Sequence, residues 1–162
     1  MSIDAAVEPL ATATSVGAIR RAVWEFPAPQ EVVSLDFVTP AVLTIDGRPT
    51  FFPNASLVFG SVHRRWCAAG LPPLWIESDS ERLAPVIARP DGLTTAVVLA
   101  RGVQRHGVMG RCDYDVSTLD EATRRNVQLL AEVACFTGVG KAVGHGMGRV
   151  MTEWRRSMQR SE

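Results

Sequence analysis

Residues 31–39 read E-V-V-S-L-D-F-V-T, and this stretch opens the fold that the rest of the sequence completes. Its apolar residues Val33, Leu35 and Phe37 alternate with polar neighbours, which is the two-residue period of a strand with one buried face. The next residue, Pro40, lacks the amide hydrogen that a sheet ladder needs. The stretch therefore predicts a half-buried strand that ends at this proline.

A helix is predicted next along the chain. Pro53 and Asn54 form a helix start, and Gly70 forms a helix stop. Between them, apolar residues recur at spacings of three and four, at Phe59, Val62, Trp66 and Ala69. This spacing predicts a helix that buries one apolar stripe.

The second half of the chain predicts two more strands and another helix. Residues 93–103 and 108–116 are typical of strands, and together they predict a hairpin that turns at residues 104–107. Thr118 and Glu121 then have the spacing of a capping box at the start of a helix. The last strand is predicted after this helix.

The order of the predicted elements indicates the fold class. With a last strand at residues 149–154, the order is β-α-β-β-α-β, which predicts an α+β, ferredoxin-like fold with a four-stranded antiparallel sheet and two helices on one face. The domain spans residues 31–154. Residues 1–30, with a strand-like piece at 19–26, are interpreted as a linker or remnant of a missing amino-terminal domain, and residues 155–162 as a basic tail.

Composition excludes several classes of protein. The 162 residues are 46% hydrophobic and 21% charged, which is typical of a globular chain and not of a disordered one. The 17 basic and 17 acidic residues cancel, so net charge points to no class of partner. Three distant cysteines have no spacing typical of a metal site, so no metal or cofactor is predicted. Without a signal peptide or a long apolar run, a cytoplasmic location is expected.

The most unusual segment is residues 136–150, which read F-T-G-V-G-K-A-V-G-H-G-M-G-R-V. Glycine adopts positive φ angles and has no β-carbon, so backbone amides can converge on an anion and a phosphodiester can approach closely. Three side chains that can carry positive charge, Lys141, His145 and Arg149, lie among the glycines. The segment therefore predicts an anion-binding loop. The alternative is that the glycines only end the helix and bend the chain into an edge strand.

Two common nucleotide motifs do not fit this segment. A dinucleotide fingerprint runs from a strand into a helix, whereas this loop runs from a helix into a strand. A phosphate-binding P-loop requires a glycine where Cys135 stands and a serine or threonine where Ala142 stands.

The glycine-rich segment resembles the carboxy-terminal signature of CRISPR-associated endoribonucleases of the Cas6 family, within the RAMP superfamily. Three further stretches are similar to that family in the same order: residues 34–40, 53–66 and 106–115. The resemblance covers residues 31–154. It implies a protein of two tandem ferredoxin-like domains that binds CRISPR repeat RNA and processes the precursor transcript.

The resemblance also implies a chemistry. Family members cut RNA without a metal, through attack by the RNA's own 2′-hydroxyl, while a histidine helped by tyrosine or lysine moves the protons. It assigns RNA binding to the glycine-rich loop, at Gly138, Gly140, Lys141, Gly144, His145, Gly146, Gly148 and Arg149. Arg105, in the predicted hairpin turn, is a further predicted RNA contact.

The catalytic histidine of the family does not carry over to this sequence. It lies in the amino-terminal domain, and only about thirty residues precede the matching region here. Of the histidines present, His106 and His145 are weak catalytic candidates. We expect the chain alone to bind RNA without cutting it. The alternatives are half of a split endoribonuclease, which assembles with a separately encoded amino-terminal half or other CRISPR-associated proteins, and a non-catalytic protein-interaction module.

Three other assignments rest on residue spacing. His63 lies beside two arginines on the first predicted helix, where an exposed position is expected. Trp66 and Trp154 fit apolar stripes and are predicted to pack in the core. Tyr114 lies on a predicted strand whose alternation does not assign it to either face.

Overall fold

The computed structural model describes residues 15–159. Its elements, in chain order, are α1 (Val16–Glu25), β1 (Val32–Ala41), β2 (Leu43–Ile45), β3 (Arg48–Thr50), α2 (Ala55–Ala68), α3 (Asp79–Leu83), β4 (Ile87–Ala100), β5 (Val103–Asp115), α4 (Glu121–Thr137), a short 3-10 helix (Val143–His145), β6 (Val150–Thr152) and α5 (Glu153–Gln159).

Four strands form the main sheet in the order β4-β5-β1-β6, and the pairs are all antiparallel. The strand β1 lies between β5 and β6, so that Leu35 pairs with Cys112 on one side and with Thr152 on the other. This is the strand order of a ferredoxin-like fold, and the predicted fold class is confirmed. No helix within residues 15–159 combines the length and the apolar character needed to cross a bilayer.

The alternation predicted for β1 is present. Val33, Leu35 and Phe37 are buried in the core between sheet and helices, where each contributes about 1.5–3 kcal/mol of transfer free energy. Asp36 alternates with them along the strand, and its carboxylate accepts a hydrogen bond from the guanidinium of Arg156 at 2.7 Å. The half-buried strand is therefore confirmed.

The helix α2 begins and ends where the sequence predicts. Asn54 caps it, since its side-chain oxygen accepts a hydrogen bond from the Leu57 amide at 2.9 Å. Gly70 follows the helix at a φ of 81°. The side chain left unassigned, Tyr114, is fully buried against Phe59, and its hydroxyl donates to the Pro53 carbonyl at 2.8 Å.

The prediction of a strand at residues 19–26 is wrong. These residues belong to α1, which is capped by Ser15 and packs on α4. Its buried residues Ile19, Ala22 and Val23 have the three- and four-residue spacing of a helix. Part of the predicted linker therefore lies in the hydrophobic core. Residues 1–14 of the predicted linker lie outside the described residues.

The predicted hairpin turn at residues 104–107 is also wrong. The chain reverses at Arg101 and Gly102, whose φ angles of 50° and 73° fit a tight two-residue turn. Both strands are consequently longer than predicted. Sequence alternation failed here because no residue described in the outer part of the hairpin, from Thr94 to His106, is fully buried, so no buried face sets a register.

The capping boxes are placed differently from the prediction. Asp120 caps α4, and its carboxylate accepts a hydrogen bond from the Thr123 amide at 3.0 Å, so the box at Thr118 is wrong. A capping box does occur at Ser78 and Glu81, where it begins the short helix α3. The sequence pattern favours a loop at residues 78–83. A helix of only five residues is too short to show an apolar period.

The basic tail is partly a helix that is attached to the domain. The last strand is shorter than predicted, and α5 follows it directly. Arg155 donates to the buried carboxylate of Glu132 at 2.6 Å. Trp154 stacks on Phe26 with ring centroids 5.1 Å apart, which confirms its predicted packing role. Trp66 is likewise buried, as predicted. Residues 160–162 of the predicted tail lie outside the described residues.

Candidate functional site

The glycine-rich loop, residues 138–149, leaves the end of α4 and crosses the end of β1. Gly138 turns the chain out of the helix at a φ of 71°. The Lys141 amide donates to the Val42 carbonyl and the Gly148 amide to the Pro40 carbonyl, both at 2.9 Å. The Val139 amide closes the loop on the Gly148 carbonyl at 2.8 Å. The loop is therefore held at both ends by the main chain of β1 and the residue after it.

Two side chains of α2 hold the entry of the loop. The guanidinium of Arg65 donates to the carbonyls of Gly138, at 2.9 Å, and of Gly140. The Ser61 hydroxyl accepts a hydrogen bond from the Gly140 amide at 3.1 Å. Sequence reasoning missed both residues, although their spacing of four places them on one side of a helix.

Thr39 holds the exit of the loop. Its hydroxyl donates to the Gly146 carbonyl at 2.8 Å and accepts from the Arg149 amide at 2.9 Å. No local pattern marks this threonine, because its partners lie 107 and 110 residues away along the chain.

Three of the loop glycines are required by the loop itself. A β-carbon on Gly148 would overlap the Val139 carbonyl oxygen, and one on Gly140 would lie 2.5 Å from the Val42 carbonyl oxygen. A β-carbon on Gly138 would lie 2.9 Å from the Val143 side chain. All three glycines also have positive φ angles, which strain other residues.

The remaining two glycines, Gly144 and Gly146, are exposed, and no atom would lie within 4 Å of a β-carbon on either one. Gly146 has a φ of 80°, whereas Gly144 has no positive φ. Nothing in the packing of the loop requires glycine at position 144. A bare backbone at this point leaves room for close approach by a ligand.

Most glycine amides in the loop donate to groups of the protein. Those of Gly138, Gly140, Gly146 and Gly148 donate to Ala134, Ser61, Val143 and Pro40. These four amides do not converge on an anion as the sequence suggested, because the turns of the loop use them internally. Charge at this site comes from side chains instead.

The three predicted basic contacts lie on the same loop. Lys141, His145 and Arg149 are all exposed. Within residues 15–159, their side chains have no hydrogen bond or ion pair. Because no protein group compensates them, these side chains are free to meet an anion.

The structure brings the middle of the β4–β5 hairpin close to this loop. Val108 of β5 pairs with Ala41, whose neighbour Val42 bridges to Lys141. Farther out on β5 lie Arg105, half-buried, and His106, exposed.

His106 is on a strand, where it pairs with Val97, and not at the turn predicted for it. Its imidazole meets the ring of Phe51 edge to face, at a centroid distance of 6.2 Å. Phe51 and its neighbour Phe52 are both about half exposed.

The prediction that His63 is exposed is wrong. Its Nδ1 lies 2.7 Å from Asp79 Oδ1, and its Nε2 accepts a hydrogen bond from the Leu74 amide at 3.1 Å. The ring also packs on Trp75, at a centroid distance of 4.4 Å. The Leu74 amide places the hydrogen of the neutral ring on Nδ1. His63 therefore joins α2 to α3 and does not face a ligand.

Burial governs the titratable groups near the loop. Burial, and next the neighbouring guanidinium of Arg64, lower the pKa of Arg65. Burial raises the pKa of the Cys135 thiol to about 12, which makes it a poor nucleophile at neutral pH. Within the described part of the chain, no three His, Cys, Asp or Glu side chains cluster in a way that could hold a metal ion.

Comparison with protein families identifies the group to which the chain is related. A sequence model of CRISPR-associated endoribonuclease Cas6 matches residues 35–150, which include most of β1, the β4–β5 hairpin and the whole glycine-rich loop. The chain belongs to the Cas6 family. The match confirms the resemblance seen in the glycine-rich segment, and it ends at the first residue of β6.

Solved Cas6 structures have the same fold. A Cas6 product complex is 26% identical over 83% of the chain, with a TM-score of 0.66, and a substrate mimic complex has the same identity and TM-score. Thermus thermophilus Cas6 gives a TM-score of 0.70 at 22% identity over 82% of the chain. The chain spans 56–57% of the length of these proteins. No curated protein gives a significant match.

Proposed function

We propose that this chain binds CRISPR repeat RNA through the glycine-rich loop and acts in processing of the precursor transcript, as the carboxy-terminal domain of a Cas6 protein. The observation that carries the proposal is the uncompensated surface of Lys141, His145 and Arg149 on a loop held at both ends by β1. One Cas6 relative has been solved both as a product complex and as a substrate mimic complex, and the family is one of endoribonucleases, which supports RNA as the ligand.

The proposed contacts divide by role. Lys141 and Arg149 bind phosphate oxygens with charge-assisted hydrogen bonds, and His145 binds a phosphate or a base edge. Gly144 and Gly146 let the RNA backbone approach the exposed side of the loop. Gly138, Gly140 and Gly148 shape the loop and act on RNA only through that shape. Arg105 extends the surface along the hairpin.

The proposed reaction is transesterification within the RNA. The 2′-oxygen bonds to the adjacent phosphorus and the bond to the 5′-oxygen breaks, which leaves a cyclic phosphate on one product and a 5′-hydroxyl on the other. One proton leaves the 2′-hydroxyl and one reaches the departing 5′-oxygen, so an acid and a base are both needed. Only His106 and His145 are exposed imidazoles within residues 15–159, and no carboxylate orients either ring there.

We therefore propose that the chain alone binds RNA without cleaving it. Cleavage then requires catalytic groups from outside these residues, supplied by an amino-terminal domain or by another CRISPR-associated protein. The site of action proposed is the cytoplasm, where the transcript is made.

Removing two positive charges from the loop is expected to weaken RNA binding. Lys141→Ala combined with Arg149→Ala should lower affinity for a labelled repeat hairpin about 10- to 100-fold, since each change removes a charge-assisted hydrogen bond. The slope of log affinity against log salt should fall by about 1.5–2. Filter binding or fluorescence anisotropy over a salt series measures both quantities.

A matched control distinguishes the loss of contacts at the loop from a general loss of positive charge. Arg20→Ala combined with Arg21→Ala removes the same charge from exposed positions on α1. We expect that pair to leave affinity within about twofold. Equal losses from both pairs, or binding by the unsubstituted chain that is insensitive to salt, would contradict the proposed loop surface.

Cleavage is tested with the same RNA. The chain alone is expected to leave the repeat intact over hours, as judged on a denaturing gel. Cleavage by the chain alone that is lost in His106→Ala or His145→Ala would instead identify a catalyst in this domain.

A further inference from the structure

A groove of about 430 Å³ lies between the start of the glycine-rich loop and α2. Four apolar side chains form much of its lining: Val42, Leu43, Leu57 and Ala68. Gly140 and Lys141 belong to both the groove and the loop, so a ligand on the loop can continue into the groove. The volume falls in the range of about 300–1,000 Å³ typical of small-molecule sites.

The groove carries an excess of positive charge. Arg64, Arg65 and Lys141 all line it. Arg65 donates to main-chain carbonyls, which hold it in place without neutralising it. Arg64 is 66% exposed, and Asp79 lies 3.7 Å from it.

That carboxylate is already engaged elsewhere, because Asp79 receives hydrogen bonds from both His63 and Trp75. It offsets little of the charge in the groove. Burial, and next repulsion by the Arg64 guanidinium, lower the pKa of Arg65. Repulsion of this kind is expected between two neighbouring cations.

We propose that this groove holds an unpaired nucleotide of the RNA strand that lies on the glycine-rich loop. Apolar walls suit the faces of a base, and cations at the rim suit the phosphates on either side of it. A base can enter only when it is unstacked and unpaired, which selects single-stranded RNA next to the duplex part of the repeat. The inference rests on the proposed function, and it adds a second contact on the α2 side of the loop.

The test uses three RNAs: the repeat hairpin alone, the hairpin with an unpaired tail at its 5′ end, and the hairpin with an unpaired tail at its 3′ end. A tail that reaches the groove should raise the affinity of the unsubstituted chain about tenfold. Arg64→Ala should abolish that gain and lower the salt slope for the tailed RNA by about 0.7. Affinity for the hairpin without a tail should not change.

A second variant tests the walls of the groove without changing charge. Ala68→Leu narrows the groove at an exposed position on the last turn of α2, and leucine suits a helix. It should also abolish the gain from the tail. Arg20→Ala on α1 is the matched control for Arg64→Ala and should retain the gain.

The outcomes separate the groove from the proposed function. If neither tail raises affinity, or if the gain survives in both Arg64→Ala and Ala68→Leu, the groove proposal is overturned while loop binding stands. If an acidic peptide displaces the tail but free nucleotides do not, the groove is a protein site and the proposal also fails. If the hairpin itself does not bind, the proposed function fails first.

Discussion

Gly148→Ala is expected to destabilise the domain by about 3–5 kcal/mol. The residue has a φ of 67°, which costs alanine about 1–2 kcal/mol. Its new β-carbon would also overlap the Val139 carbonyl oxygen. Val139 is also the residue whose amide donates to the Gly148 carbonyl and closes the loop. The two residues can therefore move apart only if this hydrogen bond breaks. Thermal unfolding by circular dichroism should show a fall of roughly 10 °C.

Gly144→Ala is the matched control for this substitution. Position 144 has no positive φ, and a β-carbon there would have no atom within 4 Å. We expect its stability to stay within about 0.5 kcal/mol of the unsubstituted chain. If the two alanine variants unfold at the same temperature, the division of the loop glycines into folding and exposed positions is incorrect.

The same pair bears on RNA binding. If Gly144 allows the RNA backbone to approach, Gly144→Ala should fold normally and bind the repeat more weakly. A folded Gly144→Ala variant with undiminished affinity would remove this glycine from the proposed contact surface.

Arg155→Ala is expected to cost about 3–5 kcal/mol near pH 7.5, because it leaves the fully buried carboxylate of Glu132 without its cation. Burial already raises the pKa of Glu132, while Arg155 acts to lower it. Loss of the arginine therefore raises that pKa further. Urea unfolding measured at several pH values gives the free energy directly.

The sign of the pH dependence follows from that raised pKa. A carboxyl group whose folded pKa lies above its unfolded value destabilises the fold as pH rises between the two values. Below the unfolded pKa of about 4.3, Glu132 is protonated in both states, and the penalty disappears. The stability difference between Arg155→Ala and the unsubstituted chain should therefore shrink as the pH falls toward 4.

Arg156→Ala on the same helix is the matched control. Its ion pair with Asp36 is as short as a strong hydrogen bond, at 2.7 Å, but the arginine is 46% exposed. Asp36 is 12% exposed, whereas Glu132 is fully buried, so we expect loss of Arg156 to cost less than loss of Arg155, about 1 kcal/mol. Adding Glu132→Gln to Arg155→Ala should recover much of the lost stability at pH 7.5. Equal costs for the two arginines, or a loss independent of pH, would contradict the buried-pair account.

Local signals in the sequence were reliable where the residues of one segment determine its secondary structure. The alternation around Leu35 predicted β1, and the cap at Asn54 with the stop at Gly70 predicted α2. In these segments the apolar period or the cap is a property of neighbouring residues. The order of the elements was then enough to predict the ferredoxin-like sheet.

Errors occurred where burial is set by another part of the chain. The helix α1 was interpreted as a strand, although its apolar residues have helical spacing. His63 was expected on the surface, but α3 covers it through Asp79. Arg155 was assigned to a basic tail, yet it donates a hydrogen bond to a buried acid 23 residues away.

The sequence by itself determined that residues 136–150 contain a glycine-rich loop between a helix and a strand, and that this segment resembles the Cas6 family. Only the tertiary structure decided what the loop can do. Hydrogen bonds from Arg65 and Thr39 to loop carbonyls, each made across more than 70 residues, hold the loop, while most of its glycine amides donate to other groups of the protein. They leave Lys141, His145 and Arg149 exposed. Long-range contacts of this kind depend on which elements pack together, and a local pattern of residues does not predict that packing.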